Sequence, residues 1–314
     1  MNLASETPCR CHEHTCPVCP TDLKFMIKME PHKPQKIEEG RQRLISIFSL
    51  VDQMVDRVLF GPYAAYDQKH CMTRAAKTGW STLPQGFYDL LESFPDHVLA
   101  TDCSAFDWTY PSWLPHLILY LKVQQTHDVS PDVLRAMTAR IDEVLGPSCT
   151  VRLPDGCRLQ QQVHGLMKSG WLMTINFNSD AQELITSLAW KRAHPDLGPP
   201  PLLWSMGDDV IMRWFPGLDS ADLERELTRC GILSKFAVKS REFAGFKVGR
   251  DAQGPFVEPL YPDKHKYLLA HVQPDLLEEV CTAYGMLYSL SRDSSWVDPI
   301  VRRYGAWTRD TYRA

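Results

Sequence analysis

The chain reads as an α+β fold, and three features of its sequence predict that class. Short apolar runs end in acidic residues, as in HVLATD and in WSMGDDVIMRW. Longer stretches carry apolar residues at helical spacing behind clear start signals. No repeat, low-complexity tract or convincing linker divides these pieces, so strands that carry acids are expected to pack against helices, in one large multi-lobed domain or equally in two small ones.

The elements are expected in the following order. The first twenty or so residues are rich in cysteine and proline and read as irregular, and residues 24–43 are locally basic, with six Lys/Arg against three Glu. Ser49 to Phe60 reads as a helix with Ser49 as its N-cap. HVLATD is a buried strand, and Trp113 to Gln125 is a helix after Pro111. Ser130 to Leu145 is a second helix, capped by Ser130 with Pro131 in the first helical position. CTVRLPDGCRLQQQV forms a hairpin about Asp155-Gly156. A long helix opens at Ser169-Gly170 and runs to Ala193. PLLWSMGDDVIMRWF makes two strands about Gly207-Asp208, Ser220 to Cys230 a capped helix, residues 242–260 strands with turns, and the last fifty or so residues helices.

With 314 residues, 44% of them hydrophobic and 23% charged, the chain can bury a sizeable core. The net charge of −4 gives no global pull toward nucleic acid, so any such role must rest on local charge. No apolar run reaches the length of a membrane span, and the first residues lack the apolar core of a signal peptide. The scattered Cys71, Cys103, Cys149, Cys157, Cys230 and Cys281 are therefore expected as reduced thiols. Near the start, Cys9, Cys11, Cys16 and Cys19 with His12 and His14 fall within eleven residues. Their C-x-x-C pair suits structural Zn²⁺, but an irregular reduced tail is the favoured reading, because no second knuckle follows at the usual spacing.

Asp102, Asp208 and Asp209 draw attention because each lies at the end of a short apolar strand. Carboxylates converging from separate strands repel, and Mg²⁺ relieves that repulsion in the company of phosphates and water. Alone, Asp-Asp in a turn is ordinary. What changes the reading is the order DCSAFD, then SGWLMTINFNS, then GDD. It resembles motifs A, B and C of the viral RNA-dependent RNA polymerases. FMIKMEPHKPQKIEEGRQRLISIFSLVDQMVDRVLFGP resembles their motif F and the helix after it, and KMEPHKPQK…GRQRLI is most similar to the sobemovirus, polerovirus and barnavirus lineage of the picornavirus-like group. The likeness runs from about Lys24 to at least Gly249.

The resemblance implies a right-hand polymerase fold: a palm with an antiparallel sheet, partial fingers and a helical thumb. Residues 1–23 would precede the fingers, 24–97 would be the fingers portion with motif F, 98–254 the palm with motifs A to E and a finger insertion at about 126–165, and 255–314 the thumb. It implies that Asp102, Asp208 and Asp209 hold two Mg²⁺ (or Mn²⁺) ions, and that Lys28, Lys36, Arg41 and Arg43 bind nucleotide phosphates. Asp107 and Asn178 would recognise the ribose 2′-hydroxyl, with Thr174 supporting Asn178 and with Ser169 and Gly170 beside the phosphates. For Ser169 and Thr174 the plain alternative is helix capping. In CGILSKFAVKSREFAGF the proton donor to departing pyrophosphate would be Lys239, in preference to Lys235, and EFAGF resembles motif E.

Implied partners are template and nascent RNA, ribonucleoside triphosphates, other replication proteins and a genome-linked protein primer. The implied place is the host cytoplasm, at the membrane-associated replication complexes of a positive-strand RNA virus. Related polymerases carry a long fingers segment before motif F, so a fragment, a polyprotein portion or a frameshift half is expected. The competing readings are a reverse transcriptase, against which Asn178 and Asp107 speak, and a catalytically silent RNA-binding module, against which the three acids speak.

Overall fold

A computed structural model describes residues 22–306, apart from 33, 83, 84, 96, 97, 127, 154, 239 and 240, with backbone alone for 234–238. The cysteine-rich start and Lys239 lie outside the described residues. The chain runs β1 (Leu23–Ile27), α1 (Pro34–Glu38), β2 (Leu44–Ile47), α2 (Leu50–Lys69), α3 (Gln85–Ser93), β3 (Val98–Cys103) and α4 (Phe106–Thr109). It continues through α5 (Leu114–Gln124), α6 (Pro131–Leu145), β4 (Thr150–Arg152), β5 (Arg158–Gln160), α7 (Thr174–Ala193), β6 (Leu203–Met206) and β7 (Asp209–Arg213). It ends with α8 (Ala221–Arg229), β8 (Ser234–Val238), β9 (Glu242–Phe243), β10 (Phe246–Asp251), β11 (Gly254–Pro259), α9 (Pro262–Ala270), α10 (Leu277–Leu287) and α11 (Asp298–Tyr304).

The described residues form an α+β fold built on three sheets. The acids ride on an antiparallel sheet in the order β6-β7-β3-β8. A second sheet, β2-β1-β4-β5, joins the basic N-terminal strands to the hairpin of residues 150–160, through a parallel pairing of β1 with β4. The third is the antiparallel set β11-β10-β9.

Helix α7 backs the acid-bearing sheet. Phe177, Ala181, Ile185, Ala189 and Trp190 on it are fully buried, in one core with Met212 of β7 and Leu203 of β6. Each large apolar side chain so enclosed contributes about 1.5–3 kcal/mol. A second core, made of Trp80, Phe87, Phe94, Trp204 and Phe243, packs largely edge-to-face and joins β6 to β9.

Two local expectations need correction. Helix α7 starts at Thr174, not at Ser169-Gly170, because Gly170 has φ +114° and the following residues turn through bonds from Trp171 N to Lys168 O and from Thr174 N to Trp171 O. At α8 Ser220 is itself in the helical region and gives no side-chain cap; Asp219 instead accepts from the amide of Ala221. None of the six described cysteines forms a disulfide. Among the described residues no helix is long and apolar enough to cross a membrane.

Candidate active site

Strand β3 delivers Asp102 one residue before its end. The β6–β7 hairpin closes on the pair Met206–Asp209, leaving Gly207 and Asp208 as a two-residue tip. Gly207 takes φ +65°, as the first residue of so tight a hairpin requires. Since β3 and β7 pair up to Thr101–Val210, Asp102 and Asp209 fall next in register at the sheet's end. Asp208 stands at the exposed tip beside them.

The acids feel one another. Burial pushes the Asp209 carboxyl up to about 7; the charges of Asp208 and Asp102 add to this, and a backbone hydrogen bond from Ala244 opposes it. Asp208 is also raised, first by the protein that displaces its water and then by Asp102, while its own backbone amide and Arg43 pull it down. No three of these carboxylates bring ligand atoms within 4.8 Å of one another, so they do not make a closed single-ion cage. An all-oxygen set of mutually repelling acids, left open, fits Mg²⁺, which keeps waters and shares phosphate oxygens with protein carboxylates.

Beside the acids lies a polar pair. After β3 the chain turns through Ala105 at φ +52° into α4, which carries Asp107. Asn178 on α7 donates Nδ2–H to Asp107 Oδ1 at 3.0 Å. Asn178 Oδ1 is buried and without a hydrogen-bond partner. Burial raises the Asp107 carboxyl, as does the charge of Asp208, whereas Asn178 and Arg43 lower it.

Among the expected phosphate ligands, Arg43 precedes β2 and its charge reaches both Asp107 and Asp208. Arg43 and Lys28 share Glu30, at 3.5 and 3.3 Å. Lys36 is exposed on α1, and Arg41, just beyond it, is bound to Glu39. Ser169 O accepts from the amide of Ser46 at 2.6 Å, which docks β2 on the Ser169-Gly170 loop. A Cβ on Gly170 would lie 2.3 Å from Ser46 O, so this approach needs glycine. The Thr174 hydroxyl donates locally, to the carbonyls of Lys168 and Trp171. Lys235 pairs with Asp102 across β8 and β3 through the backbone. In EFAGF, Ala244 and Gly245 form the turn between β9 and β10, both at positive φ.

Sequence reading missed the residues that hold the hairpin tip. Gln182 donates to Asp208 O at 3.1 Å and to Cys103 Sγ, and the Ser179 hydroxyl accepts from the amide of Gly207 at 2.9 Å. Gln182 lies four residues after Asn178, on the same helix face, and that spacing was the available signal. Glu30, the shared anion, gave no signal beyond its basic neighbours.

Comparison with known proteins finds the same likeness. No protein-family profile matches the chain. It is 31% identical over 239 residues to the replicase polyprotein P2AB of Cocksfoot mottle virus, a match covering 73% of this chain and 24% of that polyprotein. It is 30% identical over 204 residues to protein P1-P2 of Pea enation mosaic virus-1, covering 60% of this chain and 17% of that protein. It is 29% identical over 242 residues to the RNA-directed RNA polymerase of Mushroom bacilliform virus, covering 72% and 54%. The chain thus spans a quarter or less of the two plant-virus proteins and about half of the third. On these matches the chain is a homologue of the viral RNA-directed RNA polymerases and replicase polyproteins of the sobemovirus, polerovirus and barnavirus lineage.

Proposed function

We propose that this chain carries the catalytic centre of a viral RNA-directed RNA polymerase, which adds ribonucleotides to an RNA 3′ end on an RNA template. In this reading the β6-β7-β3-β8 sheet and α7 are the palm, the sheet containing β1, β2, β4 and β5 belongs to the fingers, and α9 to α11 form the thumb. Two divalent cations held by Asp102 and Asp208, with Asp209 assisting, would supply Lewis-acid activation of the 3′-hydroxyl and charge relief for the leaving pyrophosphate. Arg43 and Lys28 would exchange Glu30 for triphosphate oxygens, with Lys36 and Arg41 along the approach. A guanidinium can take two such oxygens at once. Ser169 and Gly170 would line the phosphate side, and Lys239 would protonate the departing pyrophosphate. A protein primer, the other replication proteins and a membrane-associated cytoplasmic site remain part of this proposal through the lineage alone.

The observation that carries the reading is the Asn178–Asp107 pair beside the acids, with Asn178 Oδ1 buried and unpartnered. A ribose 2′-hydroxyl can donate to that oxygen and accept in turn, which deoxyribose cannot do. The test is Mg²⁺-dependent incorporation of labelled ribonucleotide on a homopolymer RNA template. Asp208→Asn is expected to cut incorporation about a thousandfold or more, the scale of several kcal/mol of lost transition-state stabilisation. Template binding without incorporation would point to a silent module, and a preference for deoxynucleotides to a reverse transcriptase.

A further inference from the structure

Away from the acids, three side chains from separate segments converge. His116 sits in the first turn of α5, Asp142 in the last turns of α6, and His164 in the loop that leads to Ser169. Asp142 Oδ1 lies 3.2 Å from His116 Nε2 and 3.4 Å from His164 Nδ1, and all three atoms fall within 4.8 Å of one another. A tetrahedral ion with bonds of about 2.0–2.2 Å holds its ligand atoms about 3.3–3.6 Å apart. The two contacts made by Asp142 match that edge.

These contacts do not work as hydrogen bonds. Asp142 Oδ1 and His164 Nδ1 are buried atoms, and both are without a hydrogen-bond partner. Leaving such groups unsatisfied is unfavourable. Protonating both imidazoles would place two like charges on rings whose centroids are 5.3 Å apart. A single cation among the three atoms removes both difficulties.

The arrangement is built rather than loose. Gln161 donates from Nε2 to the carbonyls of Leu145 and Gly165, and the amide of Gly165 donates to Leu145 O, which fixes the His164 loop on the end of α6. At Gly146 a Cβ would lie 3.0 Å from His164 Nδ1, so the glycine leaves the ring its room. Three residues further along the same loop, Met167 N donates to Asp107 O at 2.8 Å.

We infer that His116, Asp142 and His164 bind one divalent transition-metal ion of the zinc class, with water completing its shell. Two imidazole nitrogens and one carboxylate oxygen suit zinc better than magnesium, which prefers oxygen alone. The ion ties α5, α6 and the His164 loop together. Its position upstream of Ser169-Gly170 makes it a staple for the loop that meets Asp107, and the inference does not depend on the role proposed for the aspartates.

The test uses the untagged full chain, stripped with a chelator and titrated with Zn²⁺ against a chromophoric indicator under excess Mg²⁺. His116→Ala and His164→Ala are each expected to bind one equivalent less than the wild type. The double substitution Cys16→Ser/Cys19→Ser, which removes the N-terminal thiolate pair, should keep that equivalent. Zn²⁺ at about a hundred times Kd should raise the wild-type Tm by about 5 °C and leave the histidine variants unmoved. Equal stoichiometry in wild type and histidine variants would overturn the inference, as would loss of the equivalent only in the cysteine variant. If an alanine variant does not fold, Asp142→Asn keeps the side-chain shape without the anionic ligand; undiminished zinc binding there would also overturn it.

Discussion

Asn178 shows how much can rest on one amide. Its nitrogen is committed to Asp107, which leaves the oxygen buried and free to accept. An unsatisfied buried polar group costs about 1–3 kcal/mol, a factor of about ten to a hundred in rate or binding. Asn178→Ala is therefore expected to lower the ratio of ribonucleotide to deoxynucleotide incorporation by about that factor, with metal dependence unchanged; a ratio equal to that of the wild type would move sugar selection elsewhere. Arg43 is exposed and its contact to Glu30 is a long one, at 3.5 Å, so Arg43→Ala should leave the urea midpoint unchanged. It should raise the KM for ribonucleotide about tenfold, since charge-assisted bonds to phosphate are worth about 1.5–3 kcal/mol. Arg43→Lys should recover part of the loss, because a point charge lacks the paired donors. The placement of Asp102 near a strand end and of Gly207-Asp208 in a hairpin turn was legible, because short apolar runs mark both. Glu30 was not, and Gln182 offered only its spacing from Asn178, because their work depends on partners distant in sequence: Asp208 is 26 residues from Gln182, and Lys264 is 234 from Glu30.

At the scale of elements, two of the three expected caps were readable and packing was not. Ser49 and Ser130 both accept the expected amide bonds, and Ser49 completes a capping box with Asp52. The start of α7 differs from the expectation, since a glycine at positive φ packed closely against the Ser46 carbonyl of β2 carries no mark of that neighbour in the sequence. Nor did the sequence announce the ion network beneath α7. Lys122 of α5 is almost wholly buried and meets Asp67 of α2 and Asp180 of α7, each at 2.7 Å. Arg74 pairs with both acids, and Asn176 donates to Asp67. Burial raises the Asp180 carboxyl in spite of Lys122. Lys122→Met removes the cation and leaves two buried carboxylates, one on α2 and one on α7, sharing Arg74. Breaking a buried pair from one side costs about 3–5 kcal/mol, so the urea midpoint should fall by that equivalent; an unchanged midpoint would show that the network is not needed to seat α7.

Over the whole molecule, the composition indicated a sizeable core and the acids indicated the sheet, but long-range pairing was beyond reach. Nothing in residues 24–47 says that β1 will run parallel to β4, or that Asp22 will collect Thr150, Arg152 and Arg158. Among the described residues the longest such tie in sequence is Glu30 with Lys264 of α9, at 2.7 Å, which links the basic N-terminal segment to the C-terminal helices. Burial would push the Glu30 carboxyl up, but the bond from Lys264 and the charges of Lys28 and Lys264 hold it at about 2, against an ordinary 4.5. A carboxyl depressed on folding contributes stability that is fully present above its unfolded pKa, and that is lost as pH falls through the folded one. Here that window runs from about 4.5 down to about 2. Because both lysine partners are partly exposed, the contribution is on the order of 1 kcal/mol rather than the full value of the shift. Glu30→Gln should thus be less stable than the wild type by about that amount at pH 7 and at pH 5, with the gap narrowing steadily below pH 4.5. Comparing the two chains by urea unfolding at each pH cancels the titration of the other acids. A gap that stayed constant from pH 5 to pH 3 would mean that the ionised carboxylate of Glu30 does not hold the basic N-terminal segment to α9.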